Sequence, residues 1–353
     1  MDIKELLFAT VKNKASDLHL VSDKPPIIRV NGRLVLLSQT PLSALEIEEM
    51  IFSVTTPEQK ALIEHDRELD FSLPFELSAG LEGRFRINAY YQRNSLAASL
   101  RFLDPHIKTI EQLNLPAIFH QFSKVLQGFI LITGPTGHGK STSLASVINE
   151  INQNKSVHIV TIEDPIEYVY PGGKSIISQR ELRLDTYSWA KALRSALRED
   201  PDVVLVGEMR DPETIASAIT IAETGHLVFS TLHTNSAAQT IDRIVDVFPA
   251  HQQSQIRTQL ASTLQAVVSQ RLLPALSGDR IPAVEVMLGT DAVKTNIRDG
   301  KTHMLDNIIR TSGELGMISL ETHLAALVRE GKITLDTANS YALRPDELSR
   351  LLG

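Results

Sequence analysis

The chain has 353 residues, enough for two or three domains that each bury a core. Its 35 Lys and Arg against 42 Asp and Glu give a net charge of -7, which argues against a nucleic-acid-binding protein. It has no cysteine, which excludes disulfides, thiol catalysis and cysteine-ligated zinc.

The first hundred residues predict a small α+β domain, which we place at 1–103. Apolar residues recur at helical spacing over 2–14, and a second helix is expected over 43–53. Residues 27–37 alternate around Asn31-Gly32, which is the strongest short-range signal of a β-hairpin.

Two further strands are predicted over 83–90 and 96–103. A turn centred on Arg93-Asn94 would place Arg86 directly opposite Arg101. Like charges in that position destabilise a strand pair unless an acid or anion lies against them. The two arginines are therefore candidates to reach a triphosphate held by another domain or a neighbouring subunit. A solvated basic face or a salt bridge is the ordinary alternative.

The larger domain is predicted to be α/β with a buried, mainly parallel sheet. Residues 104–127, beginning with Asp104-Pro105, are expected to be a linker and a preparatory helix. From residue 128 onwards apolar segments alternate with helical ones, and we place this domain at 128–270. Four strands are expected, at 128–133, 157–162, 203–206 and 227–232.

The remainder of the chain has a mainly helical pattern. A helix is expected over 252–270, and residues 271–353 are expected to form a mainly helical C-terminal region. Within that region we predict helices over 318–330 and after Pro345.

Residues 134–141 read G-P-T-G-H-G-K-S between a predicted strand and a predicted helix, which is the spacing of a phosphate-binding P-loop. The glycines let successive N–H groups point at phosphate oxygens, and the helix adds the positive end of its dipole. Lys140 would neutralise the β- and γ-phosphates, and the Ser141 hydroxyl could ligate Mg²⁺. The predicted nucleotide-binding residues are Gly134, Pro135, Thr136, Gly137, His138, Gly139, Lys140, Ser141 and Thr142.

Acidic residues follow two of the predicted strands. Glu208 comes just after 203–206, where P-loop enzymes hold Mg²⁺ or its water shell. Glu163 follows 157–162 and could orient or deprotonate an attacking water. A charged strand end without function is the alternative for Glu208.

His233 follows the predicted strand 227–232, where a γ-phosphate sensor would lie. A structural histidine is the alternative for it, as for His226 at the start of the same strand. A zinc site built from both is rejected, because their separation puts them on opposite faces and far apart.

With these motifs in order, the chain resembles secretion-superfamily motor ATPases, most closely the type IV pilus retraction ATPases. The resemblance covers nearly the whole chain and rests on residues 15–20, 83–88, 161–167, 194–202, 207–211, 222–226 and 232–234. It implies a PAS-like N-terminal domain, a RecA-like ATPase domain and a homohexameric ring that hydrolyses ATP with Mg²⁺. It makes Glu163 the general base, puts Glu208 on the magnesium side, and places N-terminal arginines on the triphosphate.

One residue and one seven-residue box depart from the family pattern. His138 stands where the family usually has serine, but the backbone cradles the phosphate there, so activity should survive. The family's A-I-R-N-L-I-R box, tied to retraction, reads A-V-K-T-N-I-R at 292–298.

The expected function is ATP-powered retraction of type IV pili, which drives twitching motility. A pilus-extension or type II secretion ATPase is the first alternative, although those proteins usually carry a four-cysteine zinc module. A nucleotide-gated regulatory or assembly protein with little turnover is the second, and Glu163 and Lys140 argue against it. A DNA-transport ATPase gains no support from the charge.

The resemblance also implies partners and a location. The partners would be an inner-membrane pilus platform protein and an accessory retraction ATPase, with no nucleic acid. No apolar run approaches the ~18 residues of a membrane span, and residues 1–5 begin no visible signal peptide. We therefore expect a cytoplasmic protein without membrane insertion, peripherally associated with the inner membrane through the pilus machine.

Overall fold

The computed structural model describes residues 2–30, 32–78, 81–103 and 106–353. These form two compact units. The first comprises Met1–His106 and Asp164–Val169, and the second comprises Ile107–Glu163 and Tyr170–Gly353.

The first unit contains a six-stranded antiparallel sheet with the strand order β3-β2-β1-β6-β5-β4. Its core lies between the apolar sheet face and the helices, and its fully buried side chains include Leu18, Phe85 and Ile87. Its elements are α1 (Ile3–Lys12), β1 (Asp17–Leu20), β2 (Ile27–Val30), β3 (Arg33–Leu36), α2 (Ala44–Phe52), α3 (Pro57–Asp66), β4 (Glu68–Ser78), β5 (Leu81–Gln92) and β6 (Ser95–Leu103).

The predicted elements of this unit are confirmed, with shifted ends. Helix α2 begins after Ser43, whose hydroxyl accepts the N–H of Glu46. The hairpin β2–β3 turns through Gly32 at φ +80°, while Asn31 lies outside the described residues. The sequence pattern missed β1, β4 and α3.

The second unit contains a seven-stranded sheet with the order β13-β12-β7-β11-β10-β8-β9, parallel throughout except between β12 and β13. Its strands are β7 (Gly128–Thr133), β8 (His158–Glu163), β9 (Ile176–Glu181), β10 (Val203–Val206), β11 (Leu227–Leu232), β12 (Leu264–Pro274) and β13 (Arg280–Leu288). Its helices are α4 (Phe119–Phe122), α5 (Lys140–Asn154), α6 (Trp189–Ala196), α7 (Pro212–Glu223), α8 (Ala237–Asp246), α9 (Ala250–Thr263), α10 (Asp291–Arg298), α11 (Leu305–Thr311), α12 (Leu320–Arg329), α13 (Leu335–Tyr341) and α14 (Pro345–Leu352).

The predicted α/β fold with a buried, mainly parallel sheet is confirmed. Alternate residues of β7 enter two different cores, with Phe129 and Leu131 in one and Ile130 and Ile132 in the other. All six residues of β7 are buried, as expected for a strand covered on both faces.

The predicted helix over 252–270 is wrong in its second half. Helix α9 ends at Thr263, and Leu264 begins β12, which continues to Pro274 and pairs with β13. A short run of apolar and β-branched residues cannot be told from a buried helix segment by periodicity alone. The chain therefore contributes two strands to the sheet between Leu264 and Leu288 before it becomes helical.

Within 104–127, where a preparatory helix was expected, the helix present is the four-residue α4. Asp104-Pro105 lies outside the described residues. No helix in the described part of the chain is both long and apolar enough to cross a membrane.

Candidate functional site

The segment between β7 and α5 forms a loop that only glycine can build at its first position. Gly134 has φ +141°, and a Cβ there would lie 2.2 Å from the carbonyl oxygen of Gln270 in β12. Gly137 and Gly139 both have φ +78°, in the left-handed region. The loop therefore turns tightly against β12 and leads directly into the N-terminus of α5. The free N–H groups and the dipole at that end of the helix favour anions.

Lys140 is the first residue of α5, and its side chain folds back over the loop. It is only 7% exposed, and its Nζ donates to the carbonyl oxygens of Gly134 (2.8 Å) and Pro135 (3.0 Å). The neighbouring Ser141 is exposed on the first turn of the helix. A buried cation and an exposed hydroxyl thus lie at the same end of α5.

The order of the sheet brings the predicted site residues to one edge. Strands β7, β11, β10 and β8 are consecutive and parallel, so their carboxyl ends meet at the same edge. His233 follows β11, Glu208 lies two residues beyond β10, and Glu163 ends β8.

His233 lies between the segment 134–139, which we call the phosphate loop, and Glu208. Its Nδ1 is 3.3 Å from the Thr136 hydroxyl and 3.5 Å from Lys140 Nζ, while its Nε2 is 3.5 Å from a carboxylate oxygen of Glu208. Burial and the charge of Lys140 lower the pKa of His233, and Glu208 only partly offsets them. A neutral ring with its proton on Nε2 satisfies these contacts, so His233 accepts from the loop and donates to Glu208.

The two acidic strand ends have different surroundings. Glu208 shares one carboxylate oxygen between His233 and Arg210, whose Nη2 is 2.9 Å away. Glu163 accepts hydrogen bonds from the Thr161 hydroxyl (2.7 Å) and from the Gln179 amide (3.4 Å), two neutral groups. Glu208 is therefore held by the Arg210 cation and the His233 ring, whereas Glu163 accepts hydrogen bonds from a hydroxyl and an amide.

His226 lies at the other end of β11 from His233. Its Nδ1 is 2.9 Å from the carbonyl oxygen of Ile221 and 3.1 Å from the Thr224 hydroxyl. These contacts tie the end of α7 to the start of β11. The structure thus gives His226 a structural environment, as the sequence alternative allowed.

The two candidate arginines lie in the first unit, and their predicted register is confirmed. Arg86 of β5 pairs with Arg101 of β6, across a turn in which Arg93 and Asn94 both have positive φ. The arginine pair belongs to a row of polar residues that are opposite one another across β4, β5, β6, β1 and β2.

Each of these arginines has an acid beside it. Arg86 Nε donates to Asp70 of β4 (3.0 Å), and its Nη1 lies 3.5 Å from Glu167. Arg101 Nε donates to Asp17 of β1 (2.9 Å). Hydrogen bonding to Asp70 raises the pKa of Arg86 despite burial, which opposes it. Neither aspartate was recognisable in the sequence as a partner, because both lie on strands that the sequence pattern did not predict.

A cavity of about 390 Å³ opens beside the phosphate loop within the second unit. Its wall combines the loop and the start of α5 with the segment before α4 and the β12–β13 hairpin. Its lining residues are Lys108, Gln112, Leu113, Asn114, Gly139, Thr142, Ser143, Gln270, Leu272, Asp279, Arg280 and Pro282.

Comparison with known proteins gives a consistent match. Residues 1–338 match a family described as type II/IV secretion system protein. The chain is 45% identical over 346 residues to the type IV pilus retraction ATPase PilT of Pseudomonas aeruginosa, covering 98% of this chain and 99% of that protein. It is also 45% identical to a twitching motility protein of Neisseria gonorrhoeae, over 92% of this chain and 86% of the relative. A crystal structure of the pilus retraction motor PilT with bound ADP superposes with a TM-score of 0.90 at 43% identity, covering 99% of both chains.

Proposed function

The chain belongs to the type II/IV secretion system protein family, among its pilus retraction ATPases, and we propose from this premise how its site drives retraction. The protein is an ATPase that powers type IV pilus retraction and twitching motility. The observation that carries this function is 45% identity over 98% of the chain to a retraction ATPase of nearly equal length. The complete phosphate loop and its acidic strand ends supply the chemistry.

ATP binds with its phosphates on residues 134–142. Lys140 replaces its hydrogen bonds to the carbonyl oxygens of Gly134 and Pro135 with hydrogen bonds to phosphate oxygens. Little hydrogen bonding is lost in this exchange, and the attraction between opposite charges is gained. The loop N–H groups and the α5 dipole bind the remaining phosphate charge. The neighbouring cavity of about 390 Å³ has room for the nucleoside.

The donors at the carboxyl edge of the sheet suit Mg²⁺. The Ser141 hydroxyl and the Glu208 carboxylate are hard oxygen ligands, and Mg²⁺ in phosphate-transfer sites keeps several waters and needs few protein groups. Among the described residues, no three His, Asp or Glu side chains are grouped to hold a metal by themselves, which fits an ion shared with the substrate. When bound, Mg²⁺ would neutralise charge on the β- and γ-phosphates.

Hydrolysis breaks the bond between the γ-phosphorus and the bridging oxygen as water attacks in line. Glu163, held by Thr161 and Gln179, orients that water and receives its proton. His233 senses the γ-phosphate, because it already contacts Thr136, Lys140 and Glu208. Arg86 and Arg101 stabilise the charge that develops on a triphosphate held by a neighbouring subunit, exchanging carboxylate partners for phosphate oxygens.

The family resemblance implies that the motor works as a homohexameric ring, which a head-to-tail interface can form when it closes. Different affinities for ATP and ADP would drive the conformational change that the ring converts into mechanical work. The ring acts in the cytoplasm on an inner-membrane platform protein, together with an accessory retraction ATPase.

A deletion strain tests the direction of the motor. Loss of a retraction ATPase leaves surplus surface pili and no twitching, whereas loss of an extension ATPase leaves no pili. Complementation with the wild-type gene should restore normal piliation. A deletion strain without surface pili would contradict a role in retraction. Purified protein that hydrolyses no ATP in any oligomeric state would favour a regulatory role.

A further inference from the structure

The phosphate loop is fastened to β12 by side chains outside its glycine pattern. Strand β7 ends at Thr133, which pairs with Ser269, so residues 270–274 of β12 extend beyond it. On the edge of β12 that pairs with β7, the backbone groups of residues 270–274 therefore have the phosphate loop as their neighbour instead of a strand. Partly buried N–H groups in such a position need an acceptor.

His138 supplies that acceptor. The N–H of Leu272 donates to Nδ1 of His138 at 3.0 Å, and the carbonyl oxygen of His138 accepts from the side-chain amide of Gln270 at 2.8 Å. Gln270 is 1% exposed, and its own oxygen accepts from the Ser143 hydroxyl at 2.8 Å. The network thus joins the loop, the first turn of α5 and β12.

The charge state of His138 suits this role. Burial and the nearby cations Lys140, Arg271 and Arg280 lower its pKa, so the ring is neutral at neutral pH. A neutral ring that accepts through Nδ1 carries its proton on Nε2.

We propose that His138 is a positioning residue for nucleotide binding, which locks the phosphate loop onto β12 through the Leu272 N–H. Held in this way, the loop keeps its N–H groups in a phosphate-binding arrangement before ATP arrives, which reduces the ordering cost of binding. This proposal rests on the proposed ATPase function and gives a role to the side chain of His138, whereas the sequence indicated phosphate binding through its backbone.

The two nitrogens of the ring allow a geometric test. The Oδ1 of asparagine can take the place of Nδ1, whereas glutamine places its polar atoms nearer to Nε2. We therefore compare His138→Asn, His138→Gln and His138→Ala, with the exposed His303→Ala as the matched control. ATP turnover gives KM and kcat, and hydrogen exchange of the nucleotide-free full chain reports on the Leu272 amide.

We expect H138A and H138Q to raise KM for ATP about fivefold with kcat within about twofold of wild type, because one hydrogen bond that positions the loop is lost. H138N and H303A should keep the wild-type KM. Exchange at Leu272 should be faster in H138A and H138Q but not in H138N.

Wild-type KM and Leu272 exchange in H138A would overturn the proposal, as would an H138N variant as impaired as H138A. Failure of the proposed function looks different. In that case wild type itself would not hydrolyse ATP, while Leu272 exchange would still report whether the lock exists.

Discussion

Gly134→Ala tests how closely the phosphate loop is fitted to its sheet. The new Cβ would lie 2.2 Å from the Gln270 carbonyl oxygen, where ordinary contacts begin at 3.4 Å. That oxygen belongs to β12, which is bonded to β13 along its length and cannot move aside cheaply. The loop itself must therefore shift by roughly the missing ångström.

The cost can be worked from two contributions. Overpacking of this kind costs about 1–3 kcal/mol, and a non-glycine residue at φ +141° adds about 1–3 kcal/mol. The sum, about 4 kcal/mol, is a large share of the ~5–15 kcal/mol that stabilises a typical protein. For a unit of this size it should lower Tm by about 10 °C. ATP affinity should fall by at least about tenfold, because the loop N–H groups leave their positions.

Gly278→Ala is the matched control. Gly278 has φ +87° in the β12–β13 turn, and a Cβ there meets no atom within 4 Å. The control therefore carries the backbone strain without the collision. Thermal unfolding and calorimetric ATP binding compare the two variants. If G134A and G278A show the same Tm and the same Kd for ATP, the loop does not abut β12 as described.

Three further predictions concern the acids and arginines. Glu163→Gln should lower turnover about 10²–10⁴-fold with Kd for ATP within about twofold of wild type, measured by phosphate release and fluorescent-nucleotide binding, and wild-type turnover would remove Glu163 as the base. Arg86→Ala and Arg101→Ala should each lower turnover roughly 10³-fold, with Arg29→Ala on the same sheet as control, and wild-type rates in both would leave these arginines as structural ion pairs. Burial raises the pKa of Glu285 to about 7 from 4.5. Between pH 4.5 and pH 7 the native state therefore holds a proton on Glu285 that the unfolded state has lost. The free energy of unfolding of the wild type should fall as pH rises over this range, by up to about 3 kcal/mol relative to that of Glu285→Gln. Urea unfolding at pH 5 and pH 8 measures this, and equal pH dependence in both proteins would contradict the assignment.

Local features of this protein were predictable from sequence. The phosphate loop depends on glycines and a lysine at fixed spacing, so residues 134–141 identify it without any distant contact. The pairing of Arg86 with Arg101 followed from a two-residue turn, because the turn alone sets the register of a hairpin.

Features that depend on distant neighbours were not predictable. Asp70 and Asp17 reach the arginines from strands on either side, and nothing in the local pattern places those strands there. The switch from α9 to β12 at Leu264 is decided by pairing with β7 and β13, which overrides a pattern compatible with a helix. His138 binds a backbone group far along the chain, so its side chain appeared to have no part in the site.

The most direct test of the nucleotide site is ATP turnover by Lys140→Ala, with thermal unfolding to show that the variant is folded. Lys140 supplies the buried cation of the loop, so turnover should fall to the background of the assay at every ATP concentration. A folded K140A protein that hydrolyses ATP at the wild-type rate would contradict the mechanism, and with it the account of this chain as a motor driven from residues 134–142.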